Sequence, residues 1–184
     1  MISKGIEAVL DEVIPVCTLP YANYVFVGRT ALALQGIDVP VSDIDLATHK
    51  EGVFSFAQRF SKYALTPPCW SETQQIAGYF SQYMIQNVLV EVMGETRNKI
   101  SGQLLPYNPI KNTLPVIFKG NQILTMQLED QLITNLLLGR FDRAEILFRE
   151  TQRRGCNKTY LESISSQIPL LADIIQTIIN RCEP

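Results

Sequence analysis

Asp43 and Asp45, separated by Ile44 and followed by Leu46, are the residues whose type and spacing speak first for chemistry. On a strand, residues two apart share a face, so the two carboxylates project together while Ile44 and Leu46 point to an apolar side. Carboxylates held that way suit a hard cation. Magnesium in particular takes one or two carboxylates, keeps some waters and completes its shell with substrate phosphates. Gly28, in Val25-Phe-Val-Gly28-Arg29-Thr30-Ala31, offers a neighbouring phosphate site, because a strand turning sharply into a helix leaves unpaired N–H groups at the helix start. A third acid, Glu91, is the only charge within Val88-Leu-Val-Glu91-Val-Met93. An ionised carboxylate in an apolar strand must face solvent, find a partner or bind a metal. If its strand lies beside that of Asp43, three acids converge and a cation offsets their repulsion.

Each piece also has an ordinary reading. Asp-x-Asp occurs on half-exposed strands, Ser42-x-x-Asp45 fits a helix N-cap, and Glu91 fits a solvated edge strand. The five arginines Arg140, Arg143, Arg149, Arg153 and Arg154 form the strongest positive cluster of the chain. Glu145 with Arg149 and Glu150 with Arg154 are spaced for surface ion pairs, which competes with a phosphate or RNA patch.

The elements that must position these groups follow from periodicity and punctuation. A helix is expected from Ser3 to about Ile14, then a strand ending at Val27 and a helix from Thr30 to Gln35 stopped by Gly36. The strand Asp43 to Thr48 precedes a helix from about Gly52 to Tyr63, ended by Pro67-Pro68. Residues Gly78 to Met93 read as a hairpin turning at Gln86-Asn87, and a Pro-dotted connection leads to a short strand at Pro115 to Phe118 with a turn at Gly120-Asn121. From Gln127, apolar residues recur at helical spacing, with a break at Gly139 and a further series from Leu161 to Ile179 around Pro169. The expected fold is therefore α/β (α+β), a mixed sheet covered by helices, with a core over residues 1–126 and a helical C-terminal extension over 127–184 packed on it.

Composition narrows the classes. The 184 residues suffice for one compact domain, and 46% hydrophobic with 18% charged residues excludes a disordered chain. No apolar run reaches the length of a membrane span and Met1-Ile-Ser-Lys-Gly-Ile-Glu lacks a signal-peptide pattern, so a cytoplasmic protein without a membrane partner is expected. A net charge of −2 argues against broad electrostatic binding of nucleic acid, which stays open but not favoured. The four cysteines are scattered without a Cys-x-x-Cys pair, so zinc is not expected, and the single histidine, His49, argues against a Ser-His-Asp hydrolase.

The run Gly28-Arg-Thr-Ala-Leu-Ala-Leu-Gln-Gly-Ile-Asp-Val-Pro-Val-Ser-Asp43-Ile-Asp45-Leu-Ala-Thr resembles the signature of the nucleotidyltransferase superfamily, which includes polymerase beta and the small antibiotic-modifying and toxin-antitoxin-type enzymes. The resemblance spans roughly residues 20 to 150 and is specific around 25 to 48. It implies that Gly28, Arg29 and Thr30 touch nucleotide phosphates, that Asp43, Asp45 and Glu91 hold two Mg²⁺ ions, and that Glu91 serves the ion nearest the attacking hydroxyl. Leu128-Glu129-Asp130 and Gly139-Arg140-Phe141-Asp142 resemble the helical segment after the catalytic sheet, which puts Arg140 forward for contact with the triphosphate or the second substrate. The implied activity is transfer of a nucleoside monophosphate from an NTP, with ATP as the default, to an unidentified hydroxyl acceptor; a homo-oligomer is compatible with it. The chain departs from the family pattern at three places. Arg29 stands at the second turn position, where Gly or Ser is usual; Val39 stands where many members have arginine, and Asn135 where some have lysine. A catalytically reduced nucleotide- or protein-binding module of the same fold, or an unrelated α/β protein with chance acids, are the competing readings.

Overall fold

The computed structural model describes residues 2–18, 23–108 and 110–182. Helix α1 (Lys4–Cys17) starts at Ser3, whose hydroxyl accepts from the Ile6 N–H at 3.3 Å. Strand β1 (Val25–Val27) runs directly into α2 (Gly28–Leu34), followed by β2 (Asp43–Thr48) and α3 (Lys50–Arg59). Four strands come next: β3 (Ala64–Glu72), β4 (Ile76–Ile85), β5 (Val88–Ile100) and the two-residue β6 (Gln103–Leu104). Strands β7 (Thr113–Phe118) and β8 (Asn121–Met126) then lead into α4 (Leu128–Leu137), α5 (Phe141–Arg154), α6 (Lys158–Gln167) and α7 (Ala172–Cys182).

The strands form one mixed sheet in the order β3-β4-β5-β2-β1-β8-β7, with β6 beside β5. Among the described residues, β2/β5 and β1/β8 are the parallel pairs. Strand alternation sorts the side chains. Phe26, Ile44, Leu46, Val88, Val90 and Val92 turn to one face and pack with Leu10, Ile14 and Phe56 of α1 and α3. Val25, Val27, Ala47 and Met126 form a small cluster on the opposite face, the one that also carries Asp45 and Glu91. Helices α4 to α7 build a second large core that draws in Leu32, Ile37, Val39, Leu105 and Tyr107 from the earlier part of the chain. Inside it Asp130 is fully buried and accepts from Tyr107 and, at 2.7 Å, from the Tyr160 hydroxyl.

Three expectations change. Pro67-Pro68 end no helix; they lie inside β3, and α3 stops at Arg59 with a 3₁₀ turn over Ser61–Tyr63. Strand β3 is an edge, where a missing N–H costs no ladder bond, and its register shifts between Thr66 and Cys69. The segment after Gly120 is a sheet strand, β8, whose Thr125 is buried and donates to the Leu114 carbonyl at 2.9 Å. Its apolar residues are consecutive because both faces are covered, which hides the alternation. Helix α2 begins at Gly28 itself and not at Thr30.

Candidate active site

Position 28 decides the local geometry. Gly28 adopts φ +60°, a left-handed conformation that L side chains rarely take, and this lets β1 turn at once into α2. A Cβ at this position would lie 2.5 Å from Asp45 Oδ2, so the missing side chain is also what admits the Asp45 carboxylate.

Strand β2 forms over Asp43–Thr48 and excludes the helix-capping alternative for Ser42-x-x-Asp45. Its parallel pairing with β5 sets Asp45 directly opposite Glu91 and Asp43 opposite Leu89. Glu91 thus sits on a central strand, which excludes the solvated-edge reading. On its other side, Gln82 of β4 donates to Glu91 Oε2 at 2.9 Å. Asp43 is drawn the opposite way: Ser42 Oγ donates to Asp43 Oδ1 at 2.9 Å, and Arg29 Nη2 stands 3.8 Å from the same oxygen. Arg29 also donates to Ser42 Oγ at 3.1 Å. Among the described residues no group of three or more His, Cys, Asp and Glu is arranged to hold a metal ion. Asp45 and Glu91 are brought together, with Asp43 one pleat away and engaged by Arg29 and Ser42.

Asp45 and Glu91 lie on the floor of a cavity of about 430 Å³. Val27, Gly28 and Arg29 line one side, Ala47 and Met93 continue the floor, and Gln131 and Thr134 of α4, Arg140 at the α5 N-cap and Arg143 of α5 complete the lining. Of the implied phosphate contacts, Gly28, Arg29 and Arg140 line this cavity. Thr30 is buried and spends its hydroxyl on the Asp43 carbonyl at 2.6 Å, tying α2 to β2. Helix α2 has seven residues and sums few peptide dipoles, so the positive charge here comes from the guanidinium groups of Arg29, Arg140 and Arg143.

The five-arginine cluster divides. Arg149, Arg153 and Arg154 pair with Glu145 or Glu150 on the helix surface, at 4.0, 2.7 and 3.4 Å. Arg140 and Arg143 line the cavity; nothing in the local sequence distinguishes Arg143 from the surface arginines. Electrostatics ties both to the acids. Burial, then the charges of Asp43 and Glu91, push the Asp45 carboxyl up to about 7, opposed by Arg143 and Arg140. The Arg140 guanidinium is in turn lowered by burial and by Arg143.

In fold, the chain resembles the crystal structure of an inferred nucleotidyltransferase from Thermotoga maritima, with a TM-score of 0.71 and 30% sequence identity over 84% of this chain and 97% of that one. The chain belongs to the nucleotidyltransferase superfamily. No protein-family model matches it, and no curated protein does. No helix among the described residues is long and apolar enough to cross a membrane.

Within a nucleotidyltransferase fold, the donor set can be tested against magnesium. Burial, then two neighbouring carboxylates, raise the proton affinity of the Asp45 oxygens, and Gly28 keeps the space beside Asp45 Oδ2 clear. Magnesium needs only one or two protein carboxylates when phosphates and water supply the rest, so the residues fit it without a three-acid cage. A consequence follows for pH. The unfolded chain loses the Asp45 proton near pH 4, whereas the folded chain holds it to about 7. Folding of the metal-free protein is therefore penalised progressively across that interval, and the penalty is complete above it. The thermal shift produced by Mg²⁺ should be larger at pH 8 than at pH 5; an equal shift at both would remove Asp45 from the metal site.

Proposed function

We propose that this nucleotidyltransferase-superfamily protein moves a nucleoside monophosphate from an NTP, ATP by default, to a hydroxyl acceptor, with Mg²⁺ held by Asp45, Asp43 and Glu91. The observation that carries the proposal is the direct pairing of Asp45 with Glu91 under a roof that bears Arg140 and Arg143. Bound magnesium would supply charge compensation for the phosphates and acidify the attacking hydroxyl.

The chain's own residues account for the remaining tasks. Arg29, Arg140 and Arg143 hold phosphate oxygens with planar donor forks, which substitutes for the positive charge absent at Val39 and Asn135. Glu91, steadied by Gln82, accepts the proton of the acceptor hydroxyl. Arg29 releases Asp43 when a phosphate draws its guanidinium away, so substrate binding itself frees the second acid of the pair. The expected setting is the cytoplasm, with a small hydroxylated molecule, a protein side chain or an RNA end as acceptor.

The binding-only reading draws on one observation, the contact of Arg29 with Asp43 at 3.8 Å, which neutralises one of the acids. Pyrophosphate release from each of the four NTPs with Mg²⁺, followed beside calorimetric binding, separates the two. Metal-dependent binding with slow pyrophosphate release is the expected result. Binding without any release across a panel of hydroxyl acceptors would favour the module, and no binding of any nucleotide would overturn both.

A further inference from the structure

The cavity changes character along its length. Around Asp45 and Glu91 it is lined by Arg29, Arg140 and Arg143. Beyond Met93 on β5 the lining becomes neutral: Thr96 and Asn98 of β5, Ile76 and Phe80 of β4, and Thr134, Asn135 and Leu138 of α4. None of these is charged; the remaining acid of the lining, Asp142, stands in the first turn of α5 between Arg140 and Arg143 in sequence.

Two polar groups here lack partners. Asn98 is only 4% exposed and faces the cavity. Its carbonyl accepts from the Leu105 N–H at 2.8 Å, but its side-chain amide makes no hydrogen bond among the described residues. The Thr134 hydroxyl, on the helix packed over β5, is sealed from solvent and also unpaired. Asn135 gives its Nδ2 to the Gln131 carbonyl at 2.7 Å and keeps its Oδ1 uncommitted. Buried donors and acceptors are costly to leave unpaired, and most are satisfied in folded proteins. With no accessible surface, the Thr134 hydroxyl is closed to an occupant of the cavity, whereas Asn98 and the Asn135 Oδ1 leave donor and acceptor capacity in a lining shared with Ile76, Phe80 and Leu138.

A charged group would be poorly solvated there, whereas a flat heterocycle with polar edges and apolar faces fits both features. The two ends belong to one cavity, so an occupant that is anionic at the acids and neutral beyond Met93 would satisfy it along its length. A nucleotide has that polarity. Resting on the nucleotidyl-transfer reading above, we propose that Asn98 binds the edge of the nucleobase, with Ile76, Phe80 and Leu138 against its faces, and thereby sets the preference among NTPs. An amide side chain that offers a donor and an acceptor side by side is suited to this task, as in the reading of adenine by asparagine.

The test measures Mg²⁺-dependent binding of the four NTPs and of tripolyphosphate to the wild type, Asn98→Leu, Asn98→Ser and Asp45→Asn. The wild type should prefer one NTP and bind it more tightly than tripolyphosphate. Asn98→Leu and Asn98→Ser should each weaken that NTP about tenfold, flatten the preference and leave tripolyphosphate binding unchanged. Asn98→Ser adds no bulk and carries the test should Asn98→Leu fail to fold. NTP binding that requires Asp45 but keeps its strength and preference in both variants would overturn the base assignment alone and leave the neutral end to the acceptor. Absence of NTP and tripolyphosphate binding in the wild type would overturn the nucleotidyl-transfer reading with it.

Discussion

Replacing Asp45 by asparagine should abolish nucleotidyl transfer while making the metal-free protein more stable at pH 8. The two effects have one cause. Asp45 is directly paired with Glu91, with Asp43 one pleat away, and burial together with those charges pushes its carboxyl up to about 7. At pH 8 the folded chain must keep it ionised against both neighbours; asparagine keeps the shape and removes the charge. Relief of that repulsion should raise stability by about 1–3 kcal/mol, less than the full pKa difference implies because the cavity admits water. Turnover should fall at least about a thousandfold, since the neutral amide cannot anchor a cation where charge develops. Thermal denaturation at pH 5 and pH 8 checks the first part: the gain should shrink to roughly two-fifths at pH 5 and disappear only below about pH 4. Pyrophosphate release checks the second. Asp130, whose carboxyl burial also pushes up to about 7, retains its own pH dependence in the variant and separates the contribution of the active site from that of the helical core. A destabilised Asp45→Asn protein, or one with undiminished turnover, would sink the assignment.

Gly28→Ala should damage both folding and activity. Its φ of +60° makes any L residue there cost about 1–2 kcal/mol in backbone strain alone. The added methyl would in addition meet Asp45 Oδ2 at 2.5 Å and Asp45 Cγ at 3.5 Å, so the carboxylate must swing out of its place beside Glu91. A displacement of that size at a reacting centre costs about a hundredfold in rate, over and above the loss of stability. Gly36→Ala is the matched control. Gly36 has φ +80° with nothing within 4 Å of the added carbon, so strain is its whole penalty and turnover should stay intact. Similar activity losses in the two variants would show that Gly28 matters for backbone conformation alone.

Much of this site is legible in the sequence. The alternation of Asp43, Ile44, Asp45 and Leu46 assigned a face to each side chain, and the sheet honours it because Ile44 and Leu46 are wholly buried against α1 and α3. Glu91 could be singled out because a lone acid in an apolar strand calls for a partner. The edge strand β3 and the strand β8 were not legible. Prolines read as breakers until the strand is known to be an edge, and a strand covered on both faces shows no period of two.

The amino-acid sequence by itself determined the order of elements around the acids, the turn at Gly28 and the membership of Asp43 and Asp45 in one strand face, because these depend on neighbours a few residues apart. Tertiary structure alone decided that Glu91 stands opposite Asp45, that Arg140 and Arg143 leave the surface cluster for the cavity, and that Asn98 of β5 and Asn135 of α4 line one cavity. Those relations join residues dozens of positions apart, and strand register and helix docking are set by burial of the whole apolar surface, which no local pattern encodes.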